Sequence, residues 1–452
     1  MPNPSDEAIR TVDSALNAAL NSSTFKSEIG NIKVPLAEIK NWETSLGFGK
    51  MWVRPTVPER QLSALVDALR PHLEQFTNKK TGLIGFAPCD FLDTTLTQPT
   101  MERFASKMVL AAAMTDSYRT VEAVLGWALG KPENFVTTTV VAGIDLDDPL
   151  EIAEGLRFEK LPYDEQAIRH MIRDWPHVNS VYLMGKTILR ADHIVRSMFY
   201  RLNDGKESII DRLRINPAGI HMSPAAQPYN DLRPLFDVMS LICNTCVQVE
   251  YRWNEYSDVV FYLIGHEGHV RPSDLFLPRT QGLPPKLTRD LFDQSLDTLV
   301  QRRGRTDLDV AIARWRNSLV APDSANRIID LRTVLESLYA TGTGEYRFRV
   351  PLIGALYLAP TKAERQSYYA KLRALYDLAS ELVHGSAGGG SSGKKRKKLD
   401  LSDFDEDPVT GRPRDDLVSW SQDYCRRAIL KRIGESPDSP KHVWTLNLAL
   451  GV

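Results

Sequence analysis

Cysteine is scarce in this chain. Cys89, Cys243, Cys246 and Cys425 are the four in 452 residues, too few for a disulfide framework and suited to a reducing compartment. Long apolar runs are missing as well, and no stretch approaches the ~20 residues that span a bilayer. The N-terminal MPNPSDEAIRTVDSAL has no basic segment leading into an apolar core, so it does not read as a secretory signal. Net charge is also lacking. At −1 it gives no global pull toward nucleic acid, so any such surface must be a local patch. P-loop, nucleophile-elbow and Rossmann glycine patterns are absent. These absences predict a cytoplasmic chain with no membrane partner.

What remains is a globular composition. Hydrophobic residues at 42% and charged residues at 25% supply both a core and a solvated surface, and the length suits two or three domains. The periodicities predict an α+β protein, with a mixed α/β region over 1–280 followed by an all-helical bundle over 285–452. In the first region the Ala-rich run 102–129 reads as one helix and 187–203 as another. The β-branched runs 135–144 and 256–264 read as strands. The first region is expected to sense or recognise a signal. The Pro-rich stretch 271–288 reads as a boundary.

Beyond it, helices are expected at 287–303, 306–319, 325–340, 350–358, 362–384 and 415–432. Asp323-Ser324 offers an N-cap to one of them, and Thr361 with Glu364 forms a capping box on another. Residues 386–414 are Gly/Ser-rich, then basic, then acidic, and predict a disordered loop.

Two local motifs invite a metal and fail on spacing. Cys243-x-x-Cys246 has no second ligand pair and lies in an apolar run, as two buried small side chains would. His266-Glu267-Gly268-His269 lacks the spacing of a zinc-protease helix.

The most informative run is Leu375-Tyr376-Asp377-Leu378-Ala379-Ser380-Glu381-Leu382-Val383-His384-Gly385. It resembles the signature of Apea-like HEPN domains, in which a Tyr-bearing helix leads into Arg-Ser-x-x-Val-His-Gly. The upstream helix around Asp330 and Glu336 resembles that family's earlier, acid-bearing helix. The likeness covers about 285–432. It implies a metal-independent endoribonuclease that needs no cofactor and acts as a homodimer, because one motif per chain makes half a composite site. It also implies an RNA substrate such as tRNA, and a role in phage defence or toxin-like growth arrest with a phage-derived trigger.

The chemistry suits the residue types. A histidine such as His384 titrates near neutrality and can take the proton of a ribose 2′-hydroxyl. An arginine can hold the phosphate through paired hydrogen bonds as charge develops. The position that matches that arginine holds Ala379, so the chain as written is expected to be inactive. Two origins for the alanine stay open: natural decay to a non-catalytic RNA-binding or protein-interaction module, or deliberate replacement of an arginine whose activity harms its host. The intact Tyr376, Ser380, Val383, His384 and Gly385 favour replacement.

Plainer readings stand beside these. Ala379 lies in the stripe Leu372, Leu375, Tyr376, Ala379, Val383, where alanine is ordinary packing. His384 before Gly385 can simply close a helix. Asp330 and Glu336 can orient a histidine or be solvated helix charges. The block Lys394-Lys395-Arg396-Lys397-Lys398 can hold RNA phosphates, or be neutralised by the acids that follow it.

Overall fold

The computed structural model describes residues 4–27, 33–40, 53–78, 83–84, 100–164, 180–195, 199, 220–222, 231–256, 260, 264, 284–340, 346–384 and 414–436. The fold class is α+β, as the periodicities predict. The chain divides into two compact units. One holds Met1–Val140, Asp148–Asn230 and Val249–Asp274, and the other holds Val141–Asp147, Asp231–Gln248 and Leu275–Val452.

In the first unit, α1 (Asp6–Ser22) starts where the Ser5 side chain accepts from the Ala8 N–H. Its Ile9, Val12, Leu16 and Leu20 recur at helical spacing and are buried. Strands β1 (Thr24–Ser27), β2 (Lys33–Val34) and β3 (Val53–Thr56) form a small sheet in the order β2-β1-β3. Short α2 (Leu36–Lys40) follows β2, and α3 (Glu59–Leu73) follows β3.

The Ala-rich run is two helices rather than one, α4 (Met101–Met114) and α5 (Ser117–Ala128). Asp116 breaks it by taking an extended backbone and accepting from the Arg119 N–H at 2.6 Å, so it caps a new helix instead of continuing the old one. Phe104, Met108, Val124 and Trp127 lie in one core with residues of α1 and α3.

The larger sheet contains β4 (Glu133–Ala142), β5 (Leu150–Ala153), β6 (Leu156–Lys160), β7 (Thr187–Val195), β8 (Ile220–Met222) and β9 (Gln248–Tyr256). Its order is β5-β6-β7-β4-β9, with β8 also on β7. The short helix α6 (Ser180–Leu183) precedes β7. Two expectations are corrected here. The stretch read as a helix over 187–203 begins with strand β7, whose one edge pairs with β4 and whose other edge pairs with β6 and β8. Ladder bonds on both edges override a pattern that fits a helix equally well. The strand expected at 256–264 is also displaced. β9 ends at Tyr256, whereas Val260 and Ile264 are helical and buried in the core four residues apart.

In the second unit, α7 (Arg233–Cys243) precedes the helices α8 (Arg289–Arg302), α9 (Asp309–Val320), α10 (Ser324–Tyr339), α11 (Tyr346–Leu358), α12 (Lys362–His384) and α13 (Arg414–Ile433). Asp323 caps α10 by accepting from the Asn326 N–H at 2.8 Å. Thr361 and Glu364 exchange capping-box bonds at the start of α12, at 3.3 and 3.1 Å. Of the expected boundary over 271–288 and the expected loop at 386–414, residues 271–283 and 386–413 lie outside the described residues.

Two devices hold this unit. Asp237 on α7 takes Arg302 at 2.9 Å and Arg316 as well, and Arg316 also donates to the Val247 carbonyl at 2.6 Å. A buried carboxylate with two guanidinium partners is costly to disrupt one member at a time. The second device is a close crossing at Gly354 on α11. The Tyr424 hydroxyl donates to its carbonyl at 2.7 Å, and the Tyr339 hydroxyl lies 2.9 Å from that of Tyr424.

A Cβ on Gly354 would stand 2.8 Å from both Leu372 Cδ1 and the Tyr424 hydroxyl. Alanine at this position gains about 1 kcal/mol of helix propensity. It loses about 1–3 kcal/mol to overpacking against a tyrosine fixed by its hydrogen bonds. Gly354→Ala is therefore expected to lower the thermal midpoint, and a raised midpoint would show that α11 can slide away from α12 and α13.

Candidate functional site

Of the run 375–385, residues 375–384 form the last turns of α12. Leu372, Leu375, Tyr376 and Ala379 recur at spacings of three and four and all pack into the core of the helical unit. Ala379 has no accessible surface. The stripe then leaves the core, because Val383 is 46% exposed. His384 is the final residue of α12. Its side chain, Gly385 and the block Lys394-Lys395-Arg396-Lys397-Lys398 lie outside the described residues. Ser380, next to Ala379, is half-buried.

Among the motif residues whose side chains are described, Tyr376 has the most developed surroundings. Its hydroxyl donates to Glu336 Oε1 on α10. Arg332 Nε donates to the same oxygen at 2.9 Å, and the Arg332 guanidinium sits 4.6 Å from the centre of the Tyr376 ring. One carboxylate oxygen thus collects a phenol and a guanidinium, and the guanidinium also covers the ring face. Burial, with the Glu336 carboxylate second, raises the Tyr376 pKa and keeps it a neutral donor. Arg332 and Glu336 keep 24% and 32% of their side-chain surface, so water reaches the outer edge of this trio. The i,i+4 spacing of Arg332 and Glu336 is visible in the sequence, but nothing there says that Tyr376 joins them.

Asp330 is not brought to the same place. It binds Arg314 on α9 at 3.0 Å, six positions and a different helix face away from Glu336. Burial raises its pKa, and Arg314 offsets only part of that rise. On the outer side of α12, Asp377 accepts from Arg347 at 2.6 Å and has Arg373 at 3.9 Å. That pairing brings Arg347 of α11 to α12 and uses Arg373 of α12 itself, and neither stands at position 379.

Of the two metal-like motifs, Cys243 and Cys246 are buried free thiols. Burial pushes Cys243 up to about 11 and raises Cys246 too, with Arg316 opposing the rise at Cys246. His266-Glu267-Gly268-His269 lies outside the described residues. Among the described residues, no three His, Cys, Asp or Glu side chains gather as a metal ligand set, and no helix is long and apolar enough to cross a membrane.

Tyr376→Phe keeps the ring and removes only the hydroxyl bond to a carboxylate. The expected cost is about 1.5–3 kcal/mol, read as a lower urea midpoint at unchanged slope. An unmoved midpoint would mean that the bond to Glu336 contributes nothing net. Comparison with protein-family models, with curated proteins and with solved structures finds no match for this chain.

Proposed function

We propose that this chain is a disarmed form of a metal-independent endoribonuclease with a HEPN-type helical domain, cytoplasmic and homodimeric, acting on RNA in phage defence or growth arrest. The observation that carries the reading is the placement of the motif. Tyr376, Ala379 and His384 lie on the last turns of one helix in a mainly helical unit, with the acid-bearing helix α10 packed against Tyr376. In the active form, His384 moves the 2′-hydroxyl proton. An arginine at 379 holds the phosphate, and the partner subunit supplies the other half of the site. Tyr376, Glu336 and Arg332 keep α12 in register with α10.

A second reading has its own support. Ala379 is wholly buried among apolar neighbours, which is also what a non-catalytic RNA-binding or protein-interaction module would show at this position.

Ala379→Arg separates the two readings. The substituted stem must leave the buried core around position 379 and bring its guanidinium out to water. The variant is expected to be less stable by about 1–3 kcal/mol. It is also expected to cleave RNA in the presence of EDTA and to become toxic on expression, and a further His384→Ala change should abolish both effects. A folded Ala379→Arg chain that leaves RNA intact would sink the ribonuclease reading and leave the non-catalytic module.

A further inference from the structure

We draw no further inference here: the strongest candidate, the side-chain cluster in which Tyr182 of α6 and Lys186 meet the buried Glu250 carboxylate of β9, carries nothing, because the three groups satisfy one another and nothing among the described residues shows a ligand that they would take.

Discussion

The helical unit depends on the close approach at Gly354. Because residue 354 has no side chain, Leu372 of α12 and Tyr424 of α13 can press against α11 at a distance that a methyl group would forbid. The hydrogen bonds made there are buried, so each hydroxyl must find a partner: Tyr424 donates to the Gly354 carbonyl, and Tyr339 meets Tyr424. One contact thereby fixes four helices, α10 to α13, relative to one another. The orientation of α12 about its axis follows from it, and so does the face on which Tyr376 and Ala379 lie.

Given that orientation, the Arg332–Glu336–Tyr376 trio acts as a register pin. The hydroxyl of Tyr376 is satisfied by the one carboxylate oxygen that Arg332 also holds. A one-turn slip of α12 would strand a buried phenol and leave Glu336 with a single partner, a penalty of the order of 1–3 kcal/mol. Asp330, on a different face of α10 and paired with Arg314, is an independent link to α9. Two acids that look equivalent in the sequence are therefore assigned to different neighbours by helix geometry alone.

The helical part was more legible in the sequence than the sheet. The cap residues Asp323, Thr361 and Glu364 stop and start helices by local hydrogen bonds, which sequence spacing can read. Strand β7 depends on partners far along the chain, and Thr187 to Val195 fits a helical period until β4, β6 and β8 claim its edges. Asp116 misled for the opposite reason. A single cap inside an Ala-rich run outweighs many good helix formers. In the site, the stripe through Ala379 was legible from its period. The gathering of Tyr376 with Arg332 was not, because it joins two helices.

These contacts change what the intact motif residues mean. Tyr376 is fixed by its bond to Glu336 and by its buried ring, so its persistence is explained without catalysis. Position 379 shows the converse. An arginine there would have to carry its methylenes out of the core that Ala379 shares with Leu375 and Tyr376 before its charge reaches water, which strains a face that alanine fills. Alanine at 379 is thus accounted for by packing alone, since it fills a wholly buried position in the core of α12 with no polar group to solvate.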